Sequence, residues 1–424
     1  MIYLAIAVLA TVLIAAVTAL NYISIDLGSF IIFITIIGYL IAKDRRKVKR
    51  QGIILIRRTL RGREFIDKVQ KRHTKIWGKA AKIGIIVAVV FLVVGTAFLA
   101  NQTLKLLAGG KEGGVRLLLP GPVSTPLDAP GIFVVPWWIW IIGVAVVIVP
   151  HEFMHGIMCS LERIRIKSVG WILLLVIPGA FVEPDEKQLQ RAKRSTKLKV
   201  YAAGSFANIV IAFAILIVFA LIFAASFRPA GLAVNAVPGS PANISGLHGA
   251  IASIDGHDVR NKEDLTRTLS LYKPGDTVSV RTVEVKYIAP RFGFDLAPKP
   301  VAMAEQETNI YTIILAERND TDGNNAQERQ LNRAFLGVAP LMEAYSTSLP
   351  TEAYSSLAYV FLWIYVFSLG IGIVNLLPLK PLDGGLIFEE IVGRFTKKQK
   401  LVTGVVSSII LLMLLFNLVG PVFL

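Results

Sequence analysis

Long apolar runs alternate with basic stretches along this chain. Runs at residues 1–20, 27–42, 83–100, 132–158, 200–225, 357–377 and 401–424 are almost free of charge. Most approach the roughly 20 apolar residues that a helix needs to cross a bilayer. The first run lacks a basic leader and a clear small-residue cleavage site, so it reads as a retained span; a cleaved signal peptide is the alternative. Between the runs lie basic clusters. Residues 43–79 carry fifteen Lys/Arg against three acids, and Arg163, Arg165 and Lys167, then Lys187 to Lys199, then Arg394 to Lys400 continue the pattern. The positive-inside rule puts such clusters in the cytoplasm, and a count of seven spans places all of them on that side. An eighth apolar run, 168–183, is short, interrupted by Pro178-Gly179, and basic on both flanks. It therefore cannot span. It reads as a re-entrant segment lining protein or a cavity, with enough aromatic and β-branched character between Trp171 and Phe181 for an extended hairpin.

Composition agrees with this pattern. Of 424 residues, 54% are hydrophobic, and mean hydropathy is +0.61, which excludes a large soluble enzyme. The net charge of +16 invites a nucleic-acid reading, but no soluble basic face is present, so no nucleic-acid partner is expected. Membrane lipid is the expected basic-segment partner, because apolar pieces at 53–56 and 65–66 would let 43–79 lie on anionic lipid. A solvated juxtamembrane linker fits equally well. Cys159 is the single cysteine, so no internal disulfide forms.

Residues 227–348 break the apolar pattern and face outward in this topology. Residues 231–237 and 250–254 alternate like strands, joined by a turn at 238–242. Asn261 can cap a helix at 262–271. Residues 277–287 form a third strand, in which the apolar positions shift phase after 280, the mark of a bulge. His248 and His257 read as loop residues. The polar stretch 317–333 reads as a loop.

The chemistry lies at the inner end of the 132–158 run, in His151-Glu152-Phe153-Met154-His155. His-Glu-x-x-His on a helix puts two imidazoles on one face, where both can reach one Zn2+ ion, with the Glu as candidate general base. Hydrogen-bonded core histidines or a proton relay are the alternatives. At 1.5 Å per residue the motif lies roughly 10–15 Å below the cytoplasmic surface. Two histidines leave zinc one protein ligand short. Asp383, in the tract Asn375-Leu-Leu-Pro-Leu-Lys-Pro-Leu-Asp-Gly-Gly385 at the inner end of the sixth run, is the candidate; a simple helix-ending turn is the alternative.

These motifs resemble the site-2 protease family of intramembrane zinc metalloproteases. The likeness is carried by His151 to His155, by Pro178-Gly179-Ala180-Phe181-Val182, by Ala203-Gly204-Ser205-Phe206-Ala207-Asn208, and by Asn375 to Gly385. It covers roughly residues 136–385. The Pro-Gly-Ala-Phe-Val piece is similar to the branch that holds the animal enzymes releasing sterol-regulated transcription factors. The resemblance implies that His151, His155 and Asp383 bind Zn2+ and that Glu152 is the catalytic acid/base. It implies that Asn208 and Asn375 contact substrate backbone or the developing oxyanion, although either could instead join helices by hydrogen bonding. It implies a transmembrane protein substrate, shortened beforehand by another protease, whose unwound segment meets the re-entrant edge strand. The 227–348 stretch resembles an inserted PDZ-like domain. Lys380 and the spans before residue 136 depart from the family pattern.

The expected fold is a polytopic α-helical membrane protein with about seven spans, a re-entrant β-like segment and an inserted α+β PDZ-like domain. Its parts are 1–130 (N-terminal spans and basic segment), 131–226 and 349–424 (two halves of a catalytic core), and 227–348. The expected location is the plasma membrane, with the site near the cytoplasmic face and the PDZ-like domain outside. The alternative function is a metal-binding transporter or an inactive receptor, against which the absence of an inverted repeat counts.

Overall fold

A computed structural model describes residues 2–110, 115–121, 131–174, 177–288, 301–317 and 334–422. The chain begins with helices α1 (Ile2–Ala19) and α2 (Ile25–Lys43), strands β1 (Val48–Gln51) and β2 (Ile54–Thr59), and helices α3 (Arg61–Arg72) and α4 (Thr74–Leu107). Strands β3 (Leu117–Pro120) and β4 (Ile132–Val135) lead into α5 (Trp137–Leu161). Strands β5 (Ile166–Leu174) and β6 (Ile177–Pro184), α6 (Glu186–Arg191) and α7 (Arg194–Ser226) follow. Next come β7 (Phe227–Ala236), α8 (Pro241–Ile244), β8 (Ala250–Ile254), β9 (His257–Asp258), α9 (Lys262–Leu269), β10 (Thr277–Ile288) and β11 (Val301–Ile314). After β12 (Ala316–Glu317), β13 (Ala334–Phe335) and β14 (Val338–Thr347), the chain ends in α10 (Thr351–Leu376), α11 (Asp383–Val392) and α12 (Gln399–Val419).

Six of the described helices, α2, α4, α5, α7, α10 and α12, are long and apolar enough to cross a membrane. The protein is a multi-pass membrane protein. The first apolar run forms α1, a shorter apolar helix. Two compact units result, Met1–Leu216 with Leu362–Leu424, and Ile217–Phe361.

In the first unit, small residues let helices approach closely, the usual substitute for hydrophobic drive inside lipid. The buried stripe of α4 runs Ala81, Gly84, Ala88, Leu92, Gly95, Leu99. A Cβ on Gly84 would sit 3.2 Å from the Phe206 ring of α7, and one on Gly95 would sit 2.9 Å from Ile373 of α10. Helix α7 buries Ala202, Ala203, Gly204, Ser205, Ala207 and Asn208. Its start is tied to its neighbours by ion pairs, Lys199 to Glu162 at 2.6 Å and Lys197 to Glu390 at 2.9 Å.

The run 168–183, expected to be re-entrant, forms a hairpin, β5–β6, whose tip at 175–176 lies outside the described residues. The basic segment, expected as surface-lying or solvated, builds the β1–β2 hairpin and adds it to β5. The resulting antiparallel sheet has the order β1-β2-β5-β6, so β5 is closed on both sides and β6 is an edge. Alternation explains β2: Ile54, Ile56 and Arg58 share one face, Leu55, Arg57 and Thr59 the other. Helix α3 then packs on α5, with Ile66 buried at 3% exposure beneath Gly156, and Asp67 accepting from Ser160 at 2.6 Å.

The second unit is β-rich. Its six-stranded sheet has the order β10-β11-β14-β7-β8-β9, and β10 also pairs with β8. Asn261 caps α9 by accepting from Asp264 N–H at 2.7 Å. The expected phase shift is a register change between Arg281 and Thr282 against β8, with another between Val283 and Val285 against β11. His248 is an exposed residue that meets Glu284 at 2.9 Å, and His257 lies in the exposed β9. Of the polar stretch 317–333, all but Glu317 lies outside the described residues.

Candidate metal centre

Helix α5 is apolar except near its C-terminal end, where residues 151–155 interrupt it. His155 follows His151 by four positions on the helix, so both imidazoles leave the same face. Their Nε2 atoms lie 3.1 Å apart, with the rings at 73°. Asp383, in the first turn of α11, brings its Oδ2 to 3.5 Å from His151 Nε2 and 3.4 Å from His155 Nε2. The three atoms form a nearly equilateral triangle. A point equidistant from them lies about 1.9 Å from each, close to the roughly 2.0–2.2 Å of Zn–N and Zn–O bonds. Among the described residues these three donors could hold a metal ion together.

Asp383 reaches the triangle because the two glycines after it have no side chains. A Cβ on Gly385 would meet the backbone of Leu379 and Lys380 at 2.6 Å, and one on Gly384 would overlap the carbonyl of Leu376. The first turn of α11 thus sits on the backbone that follows α10. Ser205 Oγ then donates to Asp383 Oδ2 at 3.0 Å. Lys380, a departure from the family pattern, pairs its ammonium with Glu389 on α11.

The imidazoles are oriented from behind. His155 Nδ1–H donates to the Val200 carbonyl at 2.7 Å, which leaves Nε2 as the free lone pair facing the centre. Asn208, fully buried, brings Nδ2 within 3.1 Å of His151 Nδ1 and leaves Oδ1 without a hydrogen-bond partner. Turning the amide over would place Oδ1 on Nδ1–H, the acceptor that a metal-ligating imidazole needs. Gly204 keeps the centre open. A Cβ there would lie 2.5 Å from His151 Nε2 and 2.6 Å from His151 Cδ2, and closer still to His155 Nε2.

Glu152, partly buried, accepts a hydrogen bond at Oε2 from Val182 N–H at 2.9 Å. Asn375 lies in the last turn of α10, partly exposed, and makes no side-chain hydrogen bond to the three donor residues. The sequence-expected residues thus divide. His151, His155, Asp383 and Asn208 come together, Glu152 adjoins them, and Asn375 makes no side-chain hydrogen bond to the donors.

The model of peptidase family M50 matches residues 139–417, well over half of the chain, from α5 into α12. The chain belongs to peptidase family M50. This is the site-2 protease family, and Zn2+ is its metal. The M50 chain is similar to an uncharacterized protein of Methanocaldococcus jannaschii, 26% identical over 369 residues that cover 85% of each. It is also similar to a Clostridium perfringens protein provisionally named a zinc metalloprotease, 26% identical over 281 residues, which are 59% of this chain and 80% of that one. Membership fits the donor set, since two imidazoles and a carboxylate are ligands that zinc takes readily. This M50 chain is a membrane metalloprotease.

Sequence reasoning gave no role to the Val200 carbonyl or the Val182 N–H, and named Gly204 and Ser205 only as parts of the resembling tract. The signal for two of them was present. Gly204, Ser205 and Asn208 are spaced i, i+1, i+4 and so share a face of α7. The backbone groups carry no sequence signal.

Proposed function

We propose that this M50 member cleaves transmembrane segments of membrane proteins inside the bilayer. His151, His155 and Asp383 would hold the zinc, with Ser205, Asn208 and the Val200 carbonyl fixing their orientation. Bound zinc supplies a Lewis acid and lowers the pKa of water toward about 7. Glu152 takes the proton of the attacking water and returns it to the leaving amine. Its Oε2 is held by Val182 N–H, which leaves Oε1 for that proton. The observation that carries this reading is the 3.1–3.5 Å convergence of the three donors.

A helical substrate shields its carbonyls, so it must unwind locally to react. Edge strand β6 can receive the unwound piece. Val182 N–H points away from β5, and by alternation so do the N–H and C=O of Ala180, a free pair for a substrate strand. Asn375, which is not committed to the donors, is the residue left to touch substrate.

The wider reading follows the charge pattern. The protein crosses the plasma membrane seven times, counting α1, with the site near the cytoplasmic face. The parts are those read from the sequence, 1–130, 131–226, 227–348 and 349–424, and 227–348 is an extracytoplasmic PDZ-like module that screens substrates already shortened by another protease. No observation favours a transporter or a receptor.

Glu152→Gln tests the reading. The variant should keep zinc and lose cleavage of a transmembrane reporter in proteoliposomes. Wild-type-like cleavage by this variant would refute the assignment.

A further inference from the structure

The basic segment 43–79 takes no part in the reaction above, yet it forms half of the sheet beside it. Where β2 meets β5, a cavity of about 370 Å³ opens. Three cations line it, Lys47, Arg57 and Arg58, with the hydroxyl residues Thr59 and Ser168 and the apolar Leu60. Two acids partly offset the cations. Asp44 pairs with Arg57, and Glu183 meets Arg58 at 3.3 Å while accepting from Ser168 at 2.5 Å. Lys47 has no ion-pair partner among the described residues, so the group keeps a net positive charge. Donors and net charge thus face a cavity whose lip, Leu60, is apolar and 63% exposed.

Its place in the chain defines its depth. Lys47 follows the end of α2 by four residues, and Ser168 follows the end of α5 by seven. Both helices are long and apolar enough to cross a membrane. The cavity therefore lies where hydrocarbon gives way to headgroups. Phe65, five residues after Leu60 on α3, is 60% exposed, a second apolar side chain that a bilayer surface would cover. A small soluble anion would explain the charge but not these apolar neighbours.

We propose that this cavity binds the phosphate headgroup of an anionic membrane lipid. The phosphate meets Lys47 and the two arginines, and the acyl chains leave over Leu60. Such a lipid bridges β2 and β5 and so stiffens the sheet whose far strand, β6, holds Glu152 through Val182. That consequence rests on the protease reading; the binding does not.

The test uses the full-length protein in detergent and native mass spectrometry with phosphatidylglycerol, phosphatidylcholine and inorganic phosphate. Each basic side chain at an anionic surface contributes about five-fold in affinity, so Lys47→Gln with Arg57→Gln should weaken phosphatidylglycerol binding about thirty-fold. Lys49→Gln with Arg50→Gln removes the same charge from β1, outside the cavity, and should change it less than two-fold. Lys47→Gln alone breaks no ion pair and should still lose about five-fold, which keeps the result interpretable if the double variant folds poorly. Equal loss in the two double variants would mean diffuse attraction and would overturn the site. So would phosphatidylcholine binding as tightly, or inorganic phosphate displacing the lipid at equal concentration. None of these outcomes depends on proteolysis, so a failed cleavage assay and a failed lipid site remain separable.

Discussion

Gly204→Ala adds one carbon atom to the point where the three donors converge. That carbon would stand 2.5 Å from His151 Nε2 and 2.6 Å from its Cδ2, with His155 Nε2 nearer still. Nonbonded carbon and nitrogen need about 3.3 Å or more, so each imidazole must retreat by roughly 0.7 Å or more. Metal sites tolerate about 0.2 Å. Two effects oppose each other in this variant. Alanine is the better helix former by about 1 kcal/mol, which favours α7. The overlap displaces the two imidazoles whether or not metal is bound, at the roughly 1–3 kcal/mol of an overpacked site. Zinc-free protein should therefore lose no more than about 2 kcal/mol of stability, while zinc affinity falls by at least about 100-fold, the upper range for disturbing a supporting shell. Competition with a chromophoric chelator measures the affinity, and a thermal melt of the zinc-free protein measures the fold. Gly370→Ala is the control, because a Cβ there meets nothing within 4 Å. Wild-type zinc affinity in Gly204→Ala would mean that the cation does not sit between these imidazoles.

Further outcomes are expected from the same geometry. Asn208→Ala should weaken zinc binding about 10–100-fold by leaving His151 Nδ1–H unpaired, and Asn208→Asp should restore much of it by supplying an acceptor. If zinc affinity stays constant and only the KM of a reporter changes, Asn208 is a substrate contact after all. Gly384→Ala should release Asp383 and lower zinc stoichiometry, measured by elemental analysis, without loss of helical circular dichroism. Glu162, beyond the end of α5, is raised by burial, but the Lys199 ammonium and the Thr196 hydroxyl outweigh that and hold its carboxyl below the usual range. Its contribution is present above the ordinary Glu range near 4.3 and fades as pH falls through that range into the depressed value. Glu162→Gln should thus cost about 1–3 kcal/mol at neutral pH in the zinc-free protein, and the gap to wild type should shrink on acidification.

Much of this was legible from one strand of text. The two histidines and Asp383 announced themselves because ionisable groups are rare inside apolar runs and costly there. The β5–β6 hairpin was legible too, since a run of that length with basic residues at both ends has no way to cross. The N-terminal sheet was not. Residues 48–59 show alternation, but the charges of Lys49, Arg50, Arg57 and Arg58 read equally as a lipid-surface segment or a solvated linker until β5 is seen to provide a partner. Register and partner choice are properties of two segments, and neither segment encodes them alone. Asn208 was found, but its partner was not legible for a similar reason. Its type said polar and buried, and only the 3.1 Å approach to His151 said what it serves.

The centre draws its parts from ends of the chain more than two hundred residues apart, His151 and His155 on one helix and Asp383 on another. During synthesis the first pair emerges long before the carboxylate does. A chain that stops short of Asp383 consequently carries a gap where its third donor belongs. A product cut off there, however well inserted, leaves its neighbours in the membrane intact.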